Sequence, residues 1–213
     1  MEARQETPRW ERRKEARPQE LVAAALEEFV EKGFAATRLD DVAARAGVSK
    51  GTLYLYFDSK EELFKAVIQS AVVPVVAQGE QMVAGFEGSA ADLLRQIALA
   101  WWRLFASTRV GGIPKLMISE SKNFPDLAQY YHDNVIARGK QIFARVLERG
   151  VASGEFRRVD PEYACQVLMA PLLMLALWTH SFATCAPREL DPERYLGVVT
   201  DMLVDGLRAR PDA

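Results

Sequence analysis

Apolar residues recur at helical spacing along almost the whole chain, and nowhere do they alternate as a strand requires. Leu21, Val22, Ala25, Leu26, Phe29 and Val30 share one stripe, and Leu94, Ile97, Trp101, Leu104 and Phe105 share another. An all-α fold is predicted. Stop and start signals divide it. Pro18 sits near the start of the first helix and Gly33 ends it. Thr37 reads as the N-cap of a short second helix, with Asp40 as the capping-box acid. That helix carries Leu39, Val42, Ala43 and Ala46 and ends at Gly47. Ser49 caps a third helix running to about Phe57. Asp58 or Ser59 opens a fourth over 60–78, with Pro74 as a candidate kink. Further on, Ser89, Pro114 and Pro125 open helices, the last ending near Gly154. Asp160-Pro161 and Asp191-Pro192 each pair a cap with proline at the first helical position, for helices reaching roughly Ala186 and Leu207. The total is about nine helices, three short ones and then a longer bundle.

Composition narrows the class. The 213 residues are 49% hydrophobic and 26% charged, enough to bury a real core. The N-terminal stretch MEARQETPRWERRKEARP is charged throughout and is no secretory signal. The run VLMAPLLMLALW, with 12 residues, is short for a bilayer and reads as a buried helix. Cys165 and Cys185 are placed on one helix, roughly 30 Å apart, too far to pair within a chain. A cytoplasmic protein without membrane partner is expected. Net charge is −2, and residues 1–60 balance 11 Lys+Arg against 11 Asp+Glu. Any affinity for nucleic acid must therefore come from local placement of charge.

Local placement is what AGVSKGTLYLYFDSKEEL offers. Two short helices joined at a glycine make a helix-turn-helix. Gly47 accepts a left-handed turn and Ala43 lets the helices approach. On a wheel over 50–57, Leu53 and Phe57 share the core face while Leu55 points nearly opposite. Gly51 and Thr52 lie beside Leu55, with Lys50 and Tyr54 on one flank and Tyr56 on the other. Gly51 removes bulk where a groove wall would pass. Thr52 and Tyr54 suit phosphate or base contacts, Lys50 suits phosphate or guanine, and Leu55 a thymine methyl. Lys60, in the first turn of the next helix, suits a phosphate. Each has a plainer reading: surface lysines, a half-buried tyrosine, an isolated exposed leucine.

At these residues the resemblance becomes specific. LDDVAARAGVSKGTLYLYFDSKEELFKAVI closely resembles the DNA-binding domain of the TetR/AcrR family of bacterial transcriptional regulators, matching at Gly51, Thr52, Leu53, Tyr54, Tyr56, Phe57, Ser59, Lys60, Glu61 and Leu63. The close match covers about residues 18 to 68. Beyond it, SESKNFPDLAQYYHDNV and GVASGEFRRVDPE look like ligand-binding domains of the AefR-like branch. The resemblance implies an all-helical homodimer that binds a palindromic double-stranded DNA operator and releases it when a small molecule enters the second domain. The implied DNA contacts are Thr37, Arg38, Ser49, Lys50, Gly51, Thr52, Tyr54, Leu55, Tyr56 and Lys60. Arg38 departs from the Ser or Thr of many members, and is either a phosphate contact or a solvated side chain. The arm Arg4, Arg9, Arg12, Arg13, Lys14 and Arg17, interleaved with glutamates, is either a groove-contacting arm or a solvated tail.

A boundary near residue 65 is expected, with 1–65 binding DNA and 66–213 binding ligand and forming the dimer. Trp101, Phe105, Met117, Phe143, Met169, Leu172, Leu173 and Trp178 are the candidate ligand contacts: core by spacing, pocket by their aromatic and pliable character. Trp101 and Trp102, adjacent on a helix, cannot both point inward. Leu196, Val199, Leu203 and Leu207 supply an apolar stripe for core or dimer interface, and the last two long helices would build the dimer as a four-helix bundle. His132 and His180 lack metal-ligand spacing, and no nucleophile, phosphate-loop or dinucleotide signature appears, so neither metal, cofactor nor enzymatic activity is expected. The rivals are an enzyme or carrier built on a helical bundle, which needs a polar constellation in the second domain, and a regulator answering to a protein partner. The expected effector is hydrophobic or aromatic.

Overall fold

The capping residues set the helix boundaries. The structure, a computed structural model, describes residues 9–185 and 190–209, with side chains from Arg17 onward. Arg4 and the side chains of Arg9, Arg12, Arg13 and Lys14 lie outside the described residues. Eleven α-helices are present among the described residues: α1 (Arg9–Lys32), α2 (Leu39–Arg45), α3 (Lys50–Tyr54), α4 (Lys60–Val67), α5 (Val73–Gly85), α6 (Ala90–Trp101), α7 (Ile113–Glu120), α8 (Pro125–Tyr131), α9 (Ala137–Ala152), α10 (Pro161–Thr179) and α11 (Pro192–Leu207). Counted across the π-helical turns Ile68–Val72 and His132–Ile136, they are nine. The extended pairing among these residues is one isolated bridge, Phe156 with Arg208.

Ser49, Ser59, Ser89, Asp160 and Asp191 each accept a backbone N–H of the first helical turn, as the sequence predicts. Thr37 does not. The N-cap of α2 is Arg38, which gives no side-chain cap, and the Thr37 hydroxyl is buried and donates back to the carbonyls of Glu28 (3.1 Å) and Gly33 (2.7 Å). A threonine just after a helix end can satisfy the orphan carbonyls of the helix behind it instead of the N–H groups of the one ahead. Pro18 likewise lies inside α1, not at its start. Pro74 starts α5 after the π-turn, whose widened geometry suits a residue with no N–H to return to Ser70. The helix expected from Pro125 to Gly154 is divided by the turn at His132–Ile136, and α3 ends at Tyr54, short of Phe57.

The chain forms two compact units, divided after Ser70. The first packs α1, α2, α3 and α4 around Phe29, Phe34 and Phe64, all fully buried, with ring centroids 5.3–5.4 Å apart. Glu28, almost wholly buried, holds Arg45 Nε at 2.7 Å and Lys32 Nζ at 2.7 Å; Arg45 also reaches Glu27 and Glu31, tying α2 to α1. Gly47, at φ +66°, makes the turn from α2 to α3.

The second unit packs α6, α9, α10 and α11 around Leu93, Leu94, Val146, Leu168, Leu175 and Val204. Leu196 and Leu207 belong to this core, and Val199 and Leu203 are half-buried, so Leu196 and Leu207 follow the core reading of the stripe. The helix has two apolar faces, and the one with the larger leucines packs inside the protomer. Val198 and Met202, on its other side, are exposed. Nor is α10 a wholly buried helix. Cys165, Leu168, Leu172, Leu175 and Ala176 are buried, but Tyr163, Val167, Met174 and Trp178 form an exposed stripe. With 19 residues, α10 is long and apolar enough by composition to cross a membrane, though one face of it serves the bundle core. It stops at Thr179, so exposed Cys185 lies beyond it in a short 3-10 turn and not on the helix of Cys165.

Candidate DNA-binding face and ligand cavity

In the first unit, α3 places its sequence-predicted residues on the outside. Ser49, Lys50, Gly51, Tyr54 and Leu55 are exposed, Leu55 at 81%, while Thr52 and Tyr56 are half-buried. Leu53, on the opposite side, is fully buried and anchors the helix. A side chain built on Gly51 would find one neighbour, Ser49 Oγ at 3.8 Å. Nothing within the described fold asks for glycine here, and in a helix glycine costs about 1 kcal/mol against alanine. The empty space beside it faces outward.

Lys50 is within 2.8 Å of Asp40 and 6.0 Å of the Tyr54 ring centroid. Its hydrogen bond to Asp40 raises its pKa, and the nearby Arg38 opposes that rise. Arg38 is itself exposed at the start of α2. Arg38, Lys50, Tyr54 and Leu55 thus stand on the free surface of two helices joined at Gly47.

Two of the expected contacts are turned inward. The Thr37 hydroxyl is occupied as described above. Lys60 donates to the carbonyls of Phe34 (2.7 Å), Ala35 (3.1 Å) and Thr37 (3.1 Å), and its ammonium lies 4.6 Å from the Phe34 ring centroid. Three donors meet three acceptors of the α1–α2 turn, so Lys60 fastens the unit. The early position in a helix points to an anion, and the carbonyls of the α1–α2 turn are acceptors already within reach.

In the second unit, α5, α6, α7, α8, α9 and α10 surround a cavity of about 570 Å³. Trp101, Phe105, Met117, Phe143, Met169, Leu172 and Leu173 all line it. Trp178 does not: it stands 41% exposed with its ring 5.7 Å from that of Phe182. Trp101 takes the cavity side and Trp102 packs partly buried against the core cluster. No lining residue carries a formal charge. Helix α5 has 13 residues and no fully buried one, because its inner face borders empty space. Val75, Val76, Gln78 and Gly79 from this helix were not singled out in the sequence, and neither were Tyr131 and Gly139. The i, i+4 pair Leu127 and Tyr131, both buried, was the available signal for the wall from α8.

Two bidentate ion pairs tie the helices of this unit. Arg138 grips Glu80 through Nε (2.8 Å) and Nη2 (2.7 Å), joining α9 to α5 beside Gly139 and Gly79. The bond to Arg138 holds the Glu80 carboxyl below its ordinary range. Arg103 makes a similar pair with Glu193, linking the turn after α6 to α11. Among the described residues no cluster of three or more His, Cys, Asp and Glu suits a metal ion.

Comparison with known proteins gives the same division. Residues 21–67 match the family described as bacterial regulatory proteins, tetR family, and residues 87–187 match the tetracyclin repressor-like C-terminal domain. The transcriptional repressor KstR2 of Rhodococcus jostii is 27% identical over 192 residues, spanning 89% of this chain and 92% of its own. The transcriptional activator FasR of Mycolicibacterium smegmatis is 49% identical over 70 residues, 33% of this chain and 30% of its own. The fold is similar to that of Bacillus subtilis FadR, solved in complex with stearoyl-CoA, at a TM-score of 0.75 and 21% identity over 89% of this chain and 99% of the other. The helix-turn-helix face, the helical second unit and the two matched domains agree: the chain belongs to the TetR family of bacterial transcriptional regulators.

Proposed function

We propose that this protein is a ligand-responsive repressor that leaves its operator when an apolar small molecule enters the cavity of the second unit. The observation that carries the reading is the cavity itself: about 570 Å³, enclosed by uncharged and mostly apolar residues, in a unit separate from the DNA-contacting face. On the DNA side, Arg38, Lys50, Thr52, Tyr54 and Leu55 meet the operator, with Gly51 admitting the groove wall. Phosphates compete with Asp40 for Lys50 as the complex forms.

The exposed apolar stripes of α10 and α11, including Val167, Met174, Trp178, Val198 and Met202, meet a second copy of the chain and not a lipid. A two-fold dimer presents two α3 helices to a palindromic operator. Ligand and operator oppose each other by the same factor in both directions. Stearoyl-CoA in a structure of similar fold makes a fatty acyl thioester the first effector to try.

A gel shift on DNA from immediately upstream of the gene, with excess nonspecific competitor, tests the reading. A specific complex that acyl-CoA dissolves is expected, with a dimer by light scattering at micromolar concentration. A specific complex indifferent to every apolar ligand favours a regulator answering to a protein partner. The resemblance of the first unit to an activator makes the sign of regulation a separate readout: transcription from that promoter rises on ligand addition for a repressor and falls for an activator.

A further inference from the structure

One buried polar side chain lines the cavity. Tyr131 is 94% buried (6% exposed), lines the cavity, and its hydroxyl has no hydrogen-bond partner among the described residues. The other polar lining side chains differ from it. Gln78 and Gln166 line the cavity too but are exposed, and the Ser121 hydroxyl lies 3.5 Å from the carbonyl of Ile118. The Tyr131 oxygen is not one of the fully enclosed side-chain atoms that lack a partner, so the hydroxyl is open to the cavity and available to an acceptor that enters it. The same cavity offers no cation. A carboxylate drawn into it loses its water and finds no counter-charge.

We infer that the effector carries a neutral carbonyl on an apolar chain, and that Tyr131 donates its hydroxyl to that carbonyl while the chain fills the cavity. The inference rests on the cavity being the effector site and adds which functional group it reads. Burial pushes the Tyr131 phenol above its ordinary range, so it remains a donor across neutral and mildly alkaline pH. Exposed lining residues Leu104, Ile118, Ile136 and Leu173 mark the mouth, through which a charged headgroup would remain in water. A thioester and an ordinary ester present the same carbonyl and are told apart only by that headgroup.

Calorimetric binding of methyl laurate, lauroyl-CoA, lauric acid and dodecane to the full chain tests this. Three proteins are compared: wild type, Tyr131→Phe and Gly139→Phe. Methyl laurate binds wild type, and lauric acid at pH 8 binds at least about tenfold more weakly. Tyr131→Phe weakens methyl laurate about five- to tenfold and leaves dodecane unchanged. Lauroyl-CoA binding assigns the carbonyl to a thioester with its nucleotide outside, and its failure assigns it to a neutral lipid; the hydroxyl serves either. Gly139 lies 3.9 Å, from an added Cβ, to Met169 Cε, so a phenylalanine there fills the cavity and abolishes binding of all four probes. Equal losses for methyl laurate and dodecane in Tyr131→Phe, no loss in either, or acid binding as tightly as ester overturns the carbonyl contact. Undiminished binding to Gly139→Phe, or no probe binding to wild type, overturns the cavity reading as well.

Discussion

The two units handle unused space in opposite ways. The first is packed solid around Phe29, Phe34 and Phe64 and leaves its vacant positions outside, beside Gly51 and over Leu55. The second keeps its vacancy inside, where Gly139, Met169 and the inner face of α5 border a void. A unit that meets a rigid partner needs a rigid surface. A unit that meets a pliable apolar ligand needs room and soft walls. The same substitution should therefore have different consequences in each.

The largest effect tests the packed unit. Phe29→Ala removes a ring that touches two others and should lower stability by about 3–5 kcal/mol, with loss of operator binding at physiological temperature. Phe143→Ala, at a cavity wall already short of neighbours, should cost less than that. Urea unfolding of both variants makes the comparison. Equal losses would mean that the second unit is as tightly packed as the first.

Lys60→Ala comes next. Losing the ammonium strips three carbonyls of their donor and should cost about 2 kcal/mol of stability. The sequence points to a phosphate contact, which predicts weaker operator binding in a protein of unchanged stability. A fall in melting temperature before any fall in DNA affinity favours the structural role. Unchanged melting temperature with weaker binding restores the phosphate contact.

How far the fold was legible follows from what each signal depends on. Capping by Ser49, Ser59, Ser89, Asp160 and Asp191 is a local event, decided within four residues, and the sequence shows it directly. The bonds of Lys60 lie beyond that reach, with one carbonyl 26 residues away, and the Thr37 hydroxyl turns back to Gly33 and Glu28 where a cap would turn forward. Periodicity shows that α10 and α11 are apolar, not which apolar face meets its own core. Spacing alone therefore leaves Leu196 and Leu207 open to core or interface, and it does not show that Trp178 stands outside the cavity. Seven of the eight aromatic, aliphatic and methionine candidates still line the cavity, because large apolar residues of α6, α9 and α10 face one interior. Tyr131 and Gly139 escaped notice because an unpartnered hydroxyl and an open Cβ position are properties of three-dimensional space.

The two glycines offer a subtler contrast. Gly51→Ala and Gly139→Ala should each stabilise their helix by about 0.5–1 kcal/mol, since neither added methyl meets a close neighbour. Gly51→Ala should nevertheless weaken operator binding, because the methyl enters the space kept for the groove wall. Gly139→Ala should leave ligand binding almost unchanged, because its methyl makes only ordinary contact with the pliable Met169. Thermal melts and paired binding curves check both. If Gly51→Ala keeps full operator affinity, the DNA does not approach α3 on that side.

The smallest effect concerns the clasp between α5 and α9. Arg138 holds the Glu80 carboxyl below its ordinary value of 4.5, so the folded protein releases that proton more readily than the unfolded chain. The stabilisation is then fully present above the unfolded value and disappears as pH falls through the lower folded value. Both side chains are about 30% exposed, so solvent screening limits the contribution to about 0.5–1 kcal/mol. Glu80→Gln should lower stability by that amount at pH 7 and by progressively less as pH falls below 4.5. The first unit has no share in this clasp, so operator binding by the variant without ligand should match wild type at pH 7. A constant stability difference from pH 7 to pH 3 would show that Glu80 contributes through packing instead of charge.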